Sequence, residues 1–177
     1  MDILTIVVSS TVTSALISGL IGGWFSLRSK QAEYANIYYK MILERRMVAY
    51  EEVERLIGEI KIAVVDNDQR PYHLLFSGDN DHATVYKLLL GTMSNALWLT
   101  DELFDLTRQL NLLVYNATAP EKGLVEFGKN NYKTVAELRT KLERTLANDM
   151  LVLHDIPAFL KAKKPTDGYT TLPRHTT

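Results

Sequence analysis

The segment MILERRMVAYEEVERLIGEI, residues 41–60, carries a clear helical pattern. Its charged residues, in "ERR" and "YEEVER", alternate in sign. Apolar residues recur mostly at steps of three and four, which places them on one face of a helix. The spacing predicts a helix from about residue 31 to about residue 65. The apolar positions are Tyr34, Ile37, Tyr38, Met41, Ile42, Val48, Val53, Leu56, Ile57, Ile60 and Val64.

An uncharged run, ILTIVVSSTVTSALISGLIGGWFSL at residues 3–27, precedes this helix. A helix of that length extends about 37 Å, whereas the hydrocarbon core of a bilayer is about 30 Å thick. The run therefore predicts a transmembrane helix, and no proline separates it from the next helix. A cleavable signal peptide is the alternative, but it would carry basic residues before the run, where only Asp2 is charged.

The charges beside this run predict a topology and a localisation. Arg28 and Lys30 follow the run directly. Because basic residues are retained on the cytoplasmic side, we expect the N-terminus outside and the C-terminal part in the cytoplasm. The chain is thus expected to be a single-pass protein of the cell inner membrane, with the lipid bilayer as a partner.

Small residues recur every four positions within the run, in two series. In lipid, such residues let helix backbones approach closely, so they favour association between helices. Two stripes suit a helix with two neighbours, as in a ring, although small residues are also common in membrane helices. We expect a homo-oligomer that associates through Ser10, Ser14, Ser18 and Gly22 in one series and through Thr11, Ala15, Gly19 and Gly23 in the other.

Length and composition limit the remaining possibilities. The 177 residues include about 150 beyond the run, enough for one domain. Only Asp2 precedes Arg28, so the rest of the chain carries 20 basic and 20 acidic residues. This balance argues against DNA or RNA as a partner of the chain. The absence of cysteine from the sequence excludes disulfides and thiolate zinc sites.

Two further helices are expected after the first, over residues 82–115 and 124–154, with a loop at 66–83 and a break at 116–123. Three long helices with short connections pack most simply as an antiparallel bundle. The predicted fold is therefore all-α, and its domains are a transmembrane anchor at 1–27, a cytoplasmic helical bundle at 28–157 and a flexible tail at 158–177.

Few residues suggest chemistry. His73, Asp79, Asp81 and His82 lie close together in the first loop, but these types are common in turns and their spacing matches no familiar metal site. Phosphate-binding, zinc-protease and nucleophile-elbow motifs are absent from the sequence. We therefore expect a protein that is not an enzyme and that has no cofactor and no metal.

Arg45 is the remaining candidate, because it falls near the apolar stripe between Met41 and Val48. A buried arginine needs a carboxylate or an anionic ligand, so Arg45 could contact such a ligand. The alternative is that its stem packs while its guanidinium reaches solvent or pairs with Glu52.

The N-out run of small residues, the following "RSK" and the helix MILERRMVAYEEVERLIGEI together resemble small single-pass membrane proteins of bacterial anti-phage defence loci. That resemblance implies a membrane effector: the cytoplasmic bundle senses a signal, such as a small signalling nucleotide, and the membrane part then permeabilises the bilayer. It carries over no functional residue. The alternative hypothesis is a membrane-tethered scaffold or adaptor whose bundle binds a partner protein.

Overall fold

The computed structural model describes the backbone of residues 3–77, 82–118 and 123–164, and the side chains of 14–77, 86–115 and 123–164. Helices predominate in these ranges, which confirms the all-α class. In chain order the elements are α1 (Ile3–Lys61), β1 (Ala63–Val65), β2 (Pro71–His73), α2 (His82–Ser94), α3 (Asp101–Thr118), α4 (Leu124–Asn130), α5 (Tyr132–Leu151) and α6 (Ile156–Ala162), with 3-10 turns at Leu74–Phe76 and Ala96–Trp98.

The predicted membrane localisation is wrong. Among the residues that the structure describes, no helix combines the length and the apolar character needed to cross a bilayer. The prediction relied on the length of the uncharged run at residues 3–27 and on the charges that flank it. Between Ser14 and Leu27, whose side chains the structure describes, the uncharged stretch is shorter than the roughly 20 residues that a span needs.

The chain divides into two compact units, Met1–Met41 and Ile42–Thr177, whereas the sequence predicts a boundary after residue 27. The first unit consists of α1 residues alone in its described part, and its large apolar side chains are mostly exposed. Within it, the Arg28 guanidinium lies 5.0 Å from the centroid of the Trp24 ring.

The second unit contains the hydrophobic core. Helices α3 and α5 pack against each other, and α2 packs against α3. For the third helix the sequence predicts an apolar stripe at Val135, Leu138, Leu142, Leu146, Met150 and Leu153. The first four of these side chains are buried, Leu153 is partly buried and Met150 is exposed. Burying such side chains stabilises a fold by about 1.5–3 kcal/mol each. From α1 the core receives Ala49, Tyr50, Val53, Leu56, Ile57 and Ile60.

A two-stranded antiparallel sheet follows α1, whereas the sequence predicts helix as far as residue 65 and then a loop. Strands β1 and β2 pair with Val64 opposite Tyr72. The turn between them is charged and docks on α4: the Lys129 ammonium contacts the Asp66 and Asp68 carboxylates, and Arg70 lies 3.1 Å from Glu126.

The two later helices predicted from the sequence are each interrupted. The Thr100 hydroxyl accepts a hydrogen bond from the Leu103 amide at the start of α3, so a new helix begins there. The Asn131 side chain donates to the Phe127 carbonyl and separates α4 from α5. The tail expected from residue 158 also differs, because α6 continues to Ala162.

Candidate functional site

Arg46 is the largest fully buried side chain in the described part of the second unit, with 1% of its surface exposed. It follows the buried Ile42 by four residues and precedes the buried Val53 by seven, so helical geometry places it on the core face of α1. The neighbouring Arg45 is exposed. The structure therefore places the buried cation one residue after the predicted position.

The Arg46 guanidinium joins α1 to the C-terminal part of the unit. Its Nη1 donates to the Leu153 carbonyl at 2.8 Å, and its Nη2 donates to the Tyr50 hydroxyl at 3.1 Å. The guanidinium carbon lies 3.9 Å from the centroid of the Phe159 ring of α6, a cation–π contact. Arg46 thus holds α6 and the turn before it against α1.

The Tyr50 hydroxyl connects Arg46 to a carboxylate. Its hydroxyl donates to Asp149 Oδ2 at 3.1 Å, and the Thr100 hydroxyl donates to the same oxygen. Burial raises the pKa of Tyr50 to about 12, so the phenol stays protonated and able to donate. Burial also raises the pKa of Asp149, against the hydrogen bonds from Thr100 and Tyr50, which lower it. The result is a chain of polar groups that runs from the buried Arg46 and Tyr50 to the partly buried Asp149 and Thr100.

A cavity of about 370 Å³ adjoins this chain of polar groups. Arg46 lines one part of it, and Thr100 and Asp101 at the start of α3 line another. The rest of the lining is mostly apolar and comes from the turn before α6 and from α6 itself, including Val152 and Phe159. This volume lies within the usual range for small-molecule sites, about 300–1,000 Å³.

Most charged groups at the cavity already have partners. The Lys163 ammonium donates to the Ala96 and Leu99 carbonyls at 2.9 and 3.0 Å and to Asp101 Oδ1 at 2.9 Å. The Asp155 carboxylate accepts from the Ala158 amide and caps α6. These groups build the walls of the cavity and have little capacity left for a ligand.

Arg46 differs from these groups because one of its donors is unused. Its Nε is buried and has no hydrogen-bond partner among the described atoms. A buried polar group without a partner carries a desolvation penalty of about 1–3 kcal/mol. Nε is enclosed by protein atoms, so an anionic group in the cavity would gain this donor only if the guanidinium turned toward it. With that movement, the arrangement can bind an anion attached to an apolar body.

The predicted association residues lie in the first unit, on α1. Gly19, Gly22 and Gly23 have open space where a Cβ would lie, and Ser14, Ala15 and Ser18 are exposed. The side chains of Ser10 and Thr11 lie outside the described residues. Arg28 and Lys30 are also exposed on α1. Association through the two series of small residues stays a prediction.

Of the loop residues considered for a metal, only His73 has a described side chain. It is buried, its ring stacks on Tyr132 with centroids 4.8 Å apart, and its Nε2 lies 3.2 Å from the Tyr132 carbonyl. Burial lowers its pKa. In the described ranges, no group of three or more His, Asp or Glu residues is arranged to hold a metal ion.

Two features that the sequence-based predictions lack nevertheless have signals in the sequence. Ile42, Ala49 and Leu56 recur at steps of seven, as do Arg46, Val53 and Ile60, and all six are buried. That spacing identifies Arg46 rather than Arg45 as a core position. The second signal is "DIP" at residues 155–157, where a capping aspartate and a proline in the first turn are typical of a helix start.

Comparison with protein-family models, curated proteins and solved structures found no match to this chain.

Proposed function

We propose that the second unit is a non-enzymatic sensor domain that binds a small acidic molecule in the cavity beside Arg46. The observation that carries this proposal is that Arg46 lines a cavity with mostly apolar walls while its buried Nε has no partner among the described atoms. The expected ligand has a carboxylate or phosphate that accepts from Arg46 and an apolar body that contacts Val152 and Phe159. A signalling nucleotide belongs to this class.

The same contacts suggest how binding would be transmitted. An anion at Arg46 competes for the donors that now hold the Leu153 carbonyl and the Tyr50 hydroxyl. A weaker contact with Leu153 loosens the turn before α6, and a weaker contact with Tyr50 changes the hydrogen bonding of Asp149 on α5. Ligand binding would therefore alter how α5 and α6 pack against α1, which is the output expected of a sensor.

The test is a thermal-shift and calorimetric titration of the full chain with benzoate, phenyl phosphate and adenosine monophosphate. A ligand at a hundred times its Kd stabilises the folded state by about 2.7 kcal/mol, which raises Tm by about 5–10 °C for a domain of this size. We expect at least one of these anions to do so. Benzamide serves as the uncharged control, and an equal shift with benzamide would contradict an anion site.

Ala162→Trp is designed to fill the cavity while keeping the hydrogen bonds of Arg46 and Lys163, because Ala162 lines it from α6. The matched control is Leu160→Trp, at an exposed position on the same helix. The first variant should lose the ligand-induced shift and the control should keep it. If neither the wild type nor the control responds to any of the three anions, the sensor proposal fails.

A second candidate function is a protein-binding scaffold, which the exposed face of α5 favours. Lys133, Lys141 and Arg144 line a groove there together with Tyr132 and the single carboxylate of Glu137. Such a groove suits an acidic partner segment. If the domain is a scaffold, the double variant Lys141→Glu, Arg144→Glu should abolish co-purification of a partner that Ala162→Trp retains. If it is a sensor, Ala162→Trp should abolish the ligand-induced shift of Tm, and the double variant should keep it.

A further inference from the structure

The first unit carries an exposed apolar seam with the spacing of a coiled coil. From residue 17 to residue 41, eight positions follow alternating steps of three and four, and seven of the eight are large and apolar. This is the a/d pattern of a heptad repeat, in which a and d side chains pack between two helices. The a positions are Ile17, Trp24, Gln31 and Tyr38, and the d positions are Leu20, Leu27, Tyr34 and Met41.

These apolar side chains are exposed in the single chain. Their exposed fractions range from 47% for Tyr38 to 75% for Leu20. Positions on the other side of the helix are mostly small or polar, such as Ser18, Gly22 and Ser29. Of the other exposed large apolar side chains, Leu16, Ile21 and Ile37 flank the strip, and Phe25 and Tyr39 lie away from it. Most of the large apolar side chains of this part of α1 therefore lie in the strip or beside it.

We infer that the partner of this strip is a second copy of the same chain, aligned in parallel. A heptad seam is self-complementary, because each a or d side chain fits between four residues of an identical helix. Seven half-exposed large side chains offer on the order of 800 Å² per chain, about the contribution of one partner to a stable interface. The seam thus has the size that a dimer requires.

The position of Gln31 indicates the parallel orientation. In a parallel pair, Gln31 faces Gln31 of the second copy, and the two amides can hydrogen-bond to each other. In an antiparallel pair centred on the same segment, Gln31 faces Leu27, which buries an amide without a partner at a cost of about 1–3 kcal/mol. A single polar residue at an a position commonly selects the register in this way. This interface differs from association through the small residues, which lie mostly away from the seam.

Disulfide scanning tests the interface directly, because the natural chain has no cysteine. In full-length protein, we would introduce one cysteine at a time at three d positions, as Leu27→Cys, Tyr34→Cys and Met41→Cys. The matched controls lie one residue earlier on the helix, as Ser26→Cys, Glu33→Cys and Lys40→Cys. After mild oxidation with copper phenanthroline, we expect the d variants to form disulfide-linked dimers in at least fivefold higher yield than the controls.

In the disulfide scan, two results would overturn the inference: equal yields at both sets of positions, or cross-linking at Ser26→Cys and Gly19→Cys but not at the d positions. The second result would instead support the small residues as the contact. Sedimentation equilibrium gives an independent check. The double variant Tyr34→Asp, Tyr38→Asp should be monomeric where the wild type is dimeric, and a monomeric wild type would contradict the inference. Neither measurement depends on the cavity at Arg46, so this inference and the sensor proposal can fail separately.

Discussion

Two cations in the second unit, Arg46 and Lys129, hold segments of the chain in place in different ways. Lys129 contacts two carboxylates, those of Asp66 and Asp68, and both partners are at least about a third exposed. Among the described residues, Arg46 reaches a carboxylate only through the Tyr50 hydroxyl and keeps a buried donor without a partner. Lys129 is therefore explained by the fold, whereas Arg46 has capacity that the fold does not use.

Partners, rather than burial, therefore distinguish a cation that only holds the fold together from one that is a candidate for binding a ligand. A charge that is fully paired gains little from a ligand, because binding would first have to break existing contacts. A buried guanidinium with an unused donor gains an acceptor when an anion arrives. Variants in the two regions test this difference, beginning with the largest expected effect.

Arg46→Ala should destabilise the second unit much more than Lys129→Ala. The change removes two hydrogen bonds and the stacking on Phe159, and it leaves the Leu153 carbonyl without its donor. We expect a loss of about 3 kcal/mol. Lys129→Ala should cost less, because water can solvate the exposed carboxylates that it leaves behind. Urea unfolding followed by circular dichroism measures both.

Arg45→Ala is the matched control for the first variant, since Arg45 is the adjacent arginine and is exposed. Its free energy of unfolding should stay within about 0.5 kcal/mol of the wild-type value. If Arg46→Ala and Arg45→Ala unfold at the same urea concentration, the buried contacts of Arg46 contribute nothing, and the distinction between the two regions is lost.

The next prediction concerns the packing beside Lys129. A Cβ added at Gly128 would lie 2.7 Å from the Phe76 Cβ, so Gly128→Ala forces α4 away from the 3-10 turn that carries Phe76. Overpacking of this kind costs about 1–3 kcal/mol. The control is Gly58→Ala in α1, where a Cβ meets no atom within 4 Å. There the higher helix propensity of alanine should stabilise the unit by about 0.5–1 kcal/mol.

Thermal unfolding of the two glycine variants gives opposite shifts of Tm if this packing is correct. An unchanged Tm for Gly128→Ala would show that α4 can move without cost, and the docking of the strand pair on α4 would then rest on the polar contacts of Lys129 and Arg70.

The sequence predicts the structure correctly where its periodicity is long and regular. The helical class and the buried stripe from Val135 to Leu146 follow from steps of three and four, because core packing requires them. Periodicity fails at short elements. The pairing of Val64 with Tyr72 involves three residues in each strand, too few for an alternating pattern to stand out.

The sequence points to Arg45 rather than Arg46 as the candidate buried arginine because Met41 and Val48 are apolar yet exposed. Counting them in the stripe rotates the inferred buried face of α1 toward Arg45. Apolar identity alone therefore does not define the core face of a helix that also has an exposed apolar strip. The steps of seven that include Arg46 identify the buried side of α1, but they do not identify its partners distant in sequence, such as Leu153 and Phe159.

Stability should depend on pH differently in the two regions, because the pKa values of their carboxylates are shifted in opposite directions. The Lys129 ammonium is the main cause that lowers the pKa of Asp66 and Asp68, so their contribution to stability is present above the unfolded pKa of about 3.9 and is lost as pH falls through their folded values. Burial raises the pKa of Asp149, so its ionisation costs stability as pH rises from about 3.9 to its folded value.

Two variants separate these contributions when Tm is measured from about pH 3 to pH 7, a range that spans the carboxylate pKa values. Lys129→Met should differ most from the wild type at neutral pH and approach it in acid, because the favourable ionisation of Asp66 and Asp68 is lost. Asp149→Asn should gain stability relative to the wild type as pH rises, because no buried carboxylate then has to ionise. Each effect on Tm is small, so the informative quantity is how the difference in Tm between variant and wild type changes with pH. Parallel slopes for both variants would mean that Asp149 is paired as completely as the carboxylates at Lys129, and that the Arg46 region has no unused capacity of its own.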